Sequence, residues 1–244
     1  MYYFFRGWPA RLQDCSKIKQ KTGVPRSSFV KHVPTQWLLI GPAAARMIEQ
    51  WPAIVEYFTV FIPKKNAILM RSNVYKEIAK LLQQSTLKAE FPFIGDSSSL
   101  FYLVLFQCKE PMVHEIFMEL ELLVLTLAGR ILKAKAAQKL LEDLSPRPFE
   151  DDKNMLPLLE VAASLCDEVQ TCLRATYELS KRVFLLSVKK HYASAVKCIL
   201  KQALNGESSL FLKSLSFLNS GQFSKSNSIG FVVCRPKAAH PSKN

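Results

Sequence analysis

The chain has 244 residues, of which 49% are hydrophobic and 22% charged, a balance typical of a globular protein that buries a core. Its 8 glycines form no G-x-G-x-x-G run and no phosphate-binding loop, which excludes the common nucleotide-binding motifs. The net charge of +13 favours a polyanionic partner, because Lys and Arg side chains neutralise phosphates.

Charge is distributed unevenly along the chain. Residues 1–75 carry 11 Lys or Arg against 3 Asp or Glu, residues 110–168 carry 6 against 12, and residues 181–244 carry 11 against 1. The net charges of these stretches are therefore +8, −6 and +10. Two basic ends around an acidic middle indicate that the ends contact a polyanion, and DNA is the candidate partner. A basic surface that only keeps the protein soluble is the alternative.

Helical periodicity predicts the elements of the N-terminal part. Pro9 and Gly23 are typical of the start and the end of a short basic helix. Between Phe29 and Phe61, apolar residues recur at steps of three and four, which predicts a helix that buries one face. The predicted buried positions are Met47, Ile48, Trp51, Val55 and Phe58.

The middle of the chain continues this helical pattern. Phe and Pro residues between Glu90 and Gly95 predict a turn. A long helix is predicted from Pro111 to Leu132, and the charged residues inside it argue against a membrane span. Because no β-strand alternation of useful length occurs, the predicted fold class is all-α, a multi-helix domain.

A heptad-like seam follows in the C-terminal part. It consists of Leu165, Val169, Cys172, Thr176, Leu179, Val183 and Leu186. Steps of four and three are typical of helices that pair along one face. The pairing is either with a second helix of the same domain or with a helix from another chain. In the second case a partner protein, or a second copy of this chain, would contact five members of the seam, namely Leu165, Val169, Leu179, Val183 and Leu186.

Prolines and charges between Leu144 and Asn154 predict a linker. An N-terminal helical part at 1–144 then precedes the linker at 145–154, and a long-helix part of the same helical domain follows at 155–219. Residues 220–244 are mostly Ser, Lys, Asn and Pro with few apolar side chains, and they are predicted to form a disordered tail.

No constellation of catalytic or metal-binding residues is visible. The 6 cysteines form no C-x-x-C pair and the 4 histidines no H-x-x-x-H pair, so we predict no metal site, no cofactor and no enzymatic activity. Glu115 and Glu119 share a helix face, for which a solvated surface is a simpler interpretation than a metal site. Unpaired cysteines and the lack of a signal peptide predict an intracellular protein of the nucleus or the cytoplasm, neither secreted nor bound to a membrane.

Trp37 is the aromatic side chain with two competing interpretations. It is either an anchor of the core or a platform on which an extruded base stacks. Stacking of a base on an aromatic ring contributes about 1–3 kcal/mol. Polar and cationic neighbours support the second interpretation, and a basic turn after Phe61 adds two lysines. The candidate nucleic-acid-binding residues are Lys31, His32, Gln36, Trp37, Lys64 and Lys65.

Several short blocks resemble, in order, the helical region of transposases of the hAT superfamily. The first block is Pro34-Thr35-Gln36-Trp37-Leu38, where the family usually has Thr-Arg-Trp-Leu-Ser. The second is Glu49-Gln50-Trp51-Pro52-Ala53, followed by the aromatic pair Tyr57-Phe58. Further similar stretches are Tyr3-Phe4-Phe5 with Pro9 and Arg11, Gly41-Pro42 with Arg46, Phe61–Lys65, Met118–Arg130 and Lys190–Leu204. The resemblance therefore covers roughly residues 1–225.

The resemblance implies an origin rather than an activity. In that family an RNase-H-like core binds divalent metal through Asp, Asp and Glu, and a helical insertion bearing the tryptophan motif interrupts this core. The chain resembles the insertion, and the segments that bear the three acids would lie outside it. The arginine that the family places before the tryptophan is Gln36 here, and Leu39 replaces the family's serine. Loss of a planar cation weakens the expected phosphate contact at this position.

The leading hypothesis is therefore a transposase-derived, catalytically inactive, all-helical protein with residual nucleic-acid binding. A helical protein-interaction scaffold that uses the seam between Leu165 and Leu186 is the second hypothesis. A truncated product without a selected function is the third.

Overall fold

The computed structural model describes residues 1–30, 39–106, 113–143 and 145–204, with the side chains of 101–106, 113–115 and 141 excepted. Within these ranges the chain is predominantly helical and contains no strand. The predicted all-α class is therefore confirmed.

Seven helices form the N-terminal part of the described chain. They are α1 (Tyr2–Phe5), α2 (Pro9–Lys21), α3 (Ile40–Glu49), α4 (Trp51–Glu56), α5 (Ile62–Lys65), α6 (Ala67–Met70) and α7 (Asn73–Leu82). A turn of π-helix, Tyr57–Phe61, joins α4 to α5. Asn66 and Ser72 begin α6 and α7, because each side-chain oxygen accepts a hydrogen bond from the backbone N–H three residues on.

Six helices follow in the described C-terminal part. They are α8 (Leu87–Phe106), α9 (Val113–Gly129), α10 (Ala134–Glu142), α11 (Leu158–Ala163), α12 (Asp167–Arg174) and α13 (Glu178–Ile199). Two short 3-10 turns, Arg147–Glu150 and Asp152–Asn154, lie between α10 and α11, and α13 ends in a π-helical turn at Leu200–Leu204.

An aromatic core holds the N-terminal helices together. The Phe4 ring lies 4.9 Å from the Phe58 ring, centroid to centroid, and the Phe5 ring lies 5.3 Å from Tyr57. The Tyr75 hydroxyl donates to the Phe58 carbonyl over 3.0 Å, which satisfies a buried polar atom. We call this core the N-terminal cluster; its buried members are Phe4, Phe5, Cys15, Ile18, Val24, Ala53, Ile54, Tyr57, Phe58, Ile62, Leu69 and Tyr75.

A larger core, the C-terminal cluster, takes buried residues from α8 to the π-helical turn after α13. Its members run along the chain from Ala89 to Leu204. Val124, Leu127 and Leu140 are 0% exposed, as expected for aliphatic side chains at the centre of a packed helical layer.

A partly buried ion pair lies beside this cluster. Arg130 Nη1 donates to Asp96 Oδ2 over 2.5 Å and to the Tyr192 hydroxyl over 2.8 Å, which joins α8, the end of α9 and α13. Burial by itself lowers the pKa of the Arg130 guanidinium. The interactions with Tyr192 and Asp96 are larger in sum, so the pKa is raised. Burial also raises the pKa of Tyr192 to about 12.

The two clusters meet where α3 packs against α8. Trp51, at the start of α4, lies 5.9 Å from the Phe91 ring of α8. Gly41 permits a close approach of the two helices, because a Cβ atom at this position would lie 3.3 Å from Ser98 Oγ. The apolar core therefore divides between α7 and α8.

The segment predicted as a linker, 145–154, lies against the C-terminal cluster. The Phe149 side chain packs on this cluster, and Leu132 and Met155 form an isolated antiparallel bridge at the end of the segment. Helices on both sides of the segment contribute to the same core. The predicted linker is thus a packed connection within one cluster.

The prediction of which helix face is buried between Phe29 and Phe61 is wrong, except at Phe58. Phe58 is buried as predicted, but the other buried residues nearby are Ala53, Ile54 and Tyr57. The chain ends α3 at Glu49 and begins α4 with Pro52 in the first turn, so the apolar period of α3 does not continue into α4. The remaining predicted positions, Met47, Ile48, Trp51 and Val55, are half-buried.

The turn predicted at 90–95 is also wrong, because α8 runs through Pro92 without interruption. Proline removes one backbone donor from a helix and normally weakens it. The next residue, Phe93, is buried between α8 and α13, with its ring 5.9 Å from Phe184 and 5.6 Å from Tyr192. This aromatic packing offsets the local cost of the proline.

Candidate nucleic-acid interface

Of the six predicted nucleic-acid-binding residues, the structure describes two. Lys64 and Lys65 occupy the last turn of α5, and both are exposed. The other four lie outside the described residues. They are Lys31, His32, Gln36 and Trp37.

Lys64 and Lys65 belong to a well-anchored α5–α6 corner. Ile62, which is 1% exposed, and Leu69, which is 8% exposed, bury the two ends of the corner in the N-terminal cluster. Between them the Asn66 side chain accepts a hydrogen bond from the Leu69 N–H over 2.9 Å. The corner therefore presents its two lysines from a backbone that is held by packing and by a helix cap.

The α5–α6 corner and the first turn of α7 contain no acidic residue. Arg71 follows α6, and neither it nor the two lysines of the corner has an ion-pair partner in the described part of the chain. Lys65 Nζ lies 5.0 Å from the centroid of the Phe61 ring, a cation–π contact that leaves the ammonium accessible. Three cations are thus available for contact with phosphates.

A cation–aromatic site at the start of α2 was not predicted. The guanidinium carbon of Arg11 lies 4.3 Å from the Trp8 ring and 4.7 Å from the Phe4 ring, and Nη1 donates to the Phe4 carbonyl over 3.0 Å. Trp8 is 56% exposed, so its indole offers surface for stacking beside a cation. The three-residue spacing of Trp8 and Arg11 across a helix start with Pro9 is the sequence signal that identifies this site.

Positive charge dominates the N-terminal part as a whole. The described residues up to the end of α7 hold 12 Lys or Arg against 4 Asp or Glu. Two ion pairs form among them, Lys21 with Glu56 at 2.6 Å and Arg46 with Glu49 at 3.1 Å. The exposed cations outside any ion pair of the described residues are Arg6, Lys17, Arg26, Lys64, Lys65, Arg71, Lys76 and Lys80.

The structure corrects the prediction of a single seam with five partner-contacting residues. The chain leaves helical geometry between α12 and α13, and this break ends the heptad phase. Leu165 and Val169 are 4% and 0% exposed and belong to the C-terminal cluster. Cys172 of α12 packs on the same cluster. The last three members of the seam form an exposed stripe on α13, in which Leu179, Val183 and Leu186 are 76%, 58% and 50% exposed.

A groove of about 440 Å³ lies between α11 and the first turns of α13. Leu159, Leu179 and Leu185 give it an apolar lining. Glu178, Lys181 and Arg182 add charges of both signs, and Lys181 pairs with Glu178 over 3.6 Å. Together with the exposed stripe of α13, the groove is an apolar surface flanked by charged side chains of both signs.

The titratable groups of the described residues show no activated nucleophile or metal cluster. Burial raises the pKa of the Cys166 thiol to about 11, which keeps it protonated and unreactive. Burial lowers the pKa of His191, whose ring lies 5.3 Å from that of Phe93. Within the described ranges, no three His, Cys, Asp or Glu side chains are placed to hold a metal ion.

The helices that the structure describes include none long and apolar enough to cross a membrane. Comparison with known proteins finds no matching family model, no matching curated protein and no matching solved structure.

Proposed function

We propose that this protein binds nucleic acid through the basic surface of its N-terminal part, without catalysing a reaction on it. The observation that carries the proposal is a set of eight exposed cations that have no ion-pair partner among the residues that the structure describes. Such side chains contact phosphates irrespective of base sequence and release counterions when they do so.

The α5–α6 corner is the part of this surface best suited to a phosphate backbone. Its three cations, Lys64, Lys65 and Arg71, are exposed and lie on a backbone anchored at both ends. Trp8 with Arg11 supplies an aromatic surface on which an unpaired base stacks. We propose further that the protein derives from an hAT-superfamily transposase and acts in the nucleus, which the sequence blocks around Trp37 support.

The test is a salt titration of binding. Fluorescence anisotropy is measured with a labelled 20-nucleotide single strand and the matching duplex at NaCl concentrations between 50 and 200 mM. We expect binding at 50 mM that weakens steeply with salt, because each phosphate contact contributes about 0.7–0.9 to the slope of log K against log salt. The triple variant Lys64→Gln, Lys65→Gln and Arg71→Gln is expected to lower the magnitude of that slope by about 2–3.

A matched control removes the same number of charges from another exposed surface. The triple variant Lys133→Gln, Lys135→Gln and Lys139→Gln changes three exposed lysines at α10, in the acidic middle of the chain. It is expected to leave the slope unchanged. Equal losses in the two triple variants, or no binding at 50 mM NaCl, would overturn the proposal.

A second function is favoured by a separate observation, the exposed stripe of α13. Three large apolar side chains at steps of four and three residues are typical of a helix that pairs with another helix. A protein-interaction scaffold that uses Leu179, Val183 and Leu186 is therefore the alternative to nucleic-acid binding.

Sedimentation equilibrium tests the scaffold function through self-association. If the stripe pairs with a second copy, the mass rises with concentration and Leu179→Asp returns the protein to a monomer. Ser187→Asp, which adds the same charge at an exposed position of α13 outside the stripe, is the control. A mass that does not change with concentration, or that both variants change equally, would count against self-pairing through this stripe.

A further inference from the structure

A cavity of about 350 Å³ lies between α1, α2 and the segment that follows α2. This volume is at the lower end of the range for small-molecule sites in proteins. Arg6, Lys19 and Arg26 line the cavity, and no acidic residue of the described chain does. Tyr2, Phe5, Leu12 and Phe29 contribute apolar walls. The cavity is thus both cationic and apolar.

Lys19 is the distinctive residue of this cavity, because it is only 7% exposed. Its Nζ donates to the Ser27 carbonyl over 2.8 Å and lies 4.7 Å from the centroid of the Phe29 ring. An ammonium has three N–H donors, and only one of them has a hydrogen-bond acceptor among the described residues. Burial also lowers the pKa of Lys19, as expected for a charge removed from water.

The described residues do not supply a direct counter-charge for this lysine. Glu49 acts on Lys19 through space, but its carboxylate pairs with Arg46 at 3.1 Å and accepts from Ser27 Oγ at 3.4 Å. Within the described chain, no carboxylate lies at ion-pairing distance from Lys19 Nζ. A buried charge without a paired anion costs free energy, and a bound anion would remove that cost.

We propose that the cavity binds a small amphipathic anion whose carboxylate or phosphate head pairs with Lys19. Arg6 and Arg26 add positive potential around the head, and the apolar body packs against Phe5 and Leu12. Arg6 and Arg26 border both this cavity and the nucleic-acid surface, but Lys19 belongs to the cavity alone, because the backbone of a nucleic acid does not reach an ammonium that is 7% exposed. The proposal therefore goes beyond the function proposed above and does not depend on it.

Isothermal titration with three matched ligands tests the proposal. Octanoate and octyl phosphate carry the two candidate anionic heads, and octanol has the same body without a charge. We expect one of the two anions to bind at least tenfold more tightly than octanol, and the stronger anion identifies the head group. Equal binding of octanol would mean an apolar cavity only, and no binding of either anion would likewise overturn the proposal.

A pair of variants on α2 assigns the binding to Lys19. Lys19→Met keeps an apolar side chain of similar length but removes the charge, and we expect at least a tenfold loss of affinity for the anion. Lys17→Met removes an exposed charge two residues away and is expected to leave the affinity unchanged. Unchanged affinity in Lys19→Met, with its fold verified by circular dichroism, would overturn the assignment.

If Lys19→Met does not fold, chemical footprinting of the wild-type protein tests the same assignment. Lysines are acetylated with and without the bound anion, and the modified sites are quantified by mass spectrometry. We expect the anion to slow the acetylation of Lys19 at least fivefold and to leave that of Lys17 unchanged. Equal labelling of Lys19 in the two samples would overturn the proposal, whatever the outcome of the nucleic-acid titration.

Discussion

Arg130 is the residue at which three helices of the C-terminal part are tied together. Its guanidinium bonds both the Asp96 carboxylate and the Tyr192 hydroxyl, and the charged side chains of the pair are 17% and 22% exposed. Removing one partner from such a pair leaves the other charge largely buried and uncompensated. The remaining charge costs more free energy than the pair contributed.

Arg130→Leu is therefore expected to lower the free energy of unfolding by about 2 kcal/mol, because Asp96 stays partly buried without its cation. Urea unfolding at pH 7 measures the change. Lys181→Gln, which removes the 3.6 Å pair with the exposed Glu178, serves as the control. Its effect is expected to stay within about 0.5 kcal/mol. A loss in Arg130→Leu no larger than this would show that the buried pair does not stabilise the fold.

Tyr192 is expected to lower the free energy of unfolding as the pH rises above about 10. Burial raises the pKa of Tyr192 to about 12, above the ordinary value near 10, so the unfolded state releases the proton first. Its contribution is fully present below pH 10 and is lost as pH rises towards 12. Burial also raises the pKa of Tyr57 to about 12, and the same sign applies there.

We expect the free energy of unfolding to fall by about 1 kcal/mol per buried tyrosine between pH 9 and pH 11. Tyr57 and Tyr192 contribute equally to this decrease, so Tyr192→Phe should remove about half of their combined contribution. Urea unfolding at pH 9, 10 and 11 gives the slope. Tyr177→Phe, at a position 82% exposed, should leave the slope unchanged. A slope that Tyr192→Phe also leaves unchanged would contradict the assignment.

At the scale of the helices, α12 and α13 divide what the sequence presents as one repeat. Helix α12 ends after Arg174, and the direction of the seam changes there. Leu165 and Val169 are buried before this break, whereas Leu179, Val183 and Leu186 are exposed after it. Two valines of the same seam therefore differ in burial, with Val169 at 0% and Val183 at 58% exposed. Because both residues are valine, the same substitution at the two positions measures how much burial alone contributes to the free energy of unfolding.

Val169→Ala is expected to lower the free energy of unfolding by about 2 kcal/mol, because it removes two buried methyl groups and leaves a cavity. Val183→Ala is expected to change it by less than about 0.5 kcal/mol, since the side chain is mostly in water. Urea denaturation of both variants under one set of conditions measures the difference. Equal losses would show that the two positions are equally buried and that the seam is continuous.

Helix positions were predictable to the extent that local signals decide them. Pro9 and Gly23 mark the two ends of α2, with Gly23 at a φ of +69° where glycine is favoured. Pro92 misled the prediction, because the burial of Phe93 against α13 stabilises a helix that local preference disfavours. A contact between residues far apart in the chain cannot be read from local spacing.

At the scale of the whole molecule, α3 connects the two apolar clusters, because its Met47 packs on the N-terminal cluster while the helix itself packs against α8. The Trp51 and Phe91 rings and the close approach at Gly41 lie along this contact. Packed helices that share a boundary of this kind lose stability together, because unfolding one exposes apolar surface on the other. We therefore expect the clusters to unfold cooperatively.

Ile54→Ala in the N-terminal cluster and Leu127→Ala in the C-terminal cluster test this coupling. Each is expected to cost about 2–5 kcal/mol, because both side chains are almost fully buried. Both variants should shift a single thermal transition, followed by tryptophan fluorescence and by far-ultraviolet circular dichroism. Two separate transitions, only one of which moves in each variant, would show that the clusters unfold independently.

The sequence by itself determined the helical class and the uneven charge, because both follow from residue type and spacing along the chain. Lys64 and Lys65 could be selected in advance for the same reason, since a basic turn between prolines and polar residues is exposed by its composition. The hAT resemblance likewise comes from the sequence alone and stays a prediction.

Only the tertiary structure decided which face of each helix is buried. The phase of α4, the division of the seam at α12 and α13, and the burial of Lys19 depend on contacts between distant segments. Lys19 lies in a basic, polar helix and would be assigned to solvent by its pattern, yet Ser27 and Phe29 enclose it. Burial is a property of how helices pack on each other, and a single helix does not specify its neighbours.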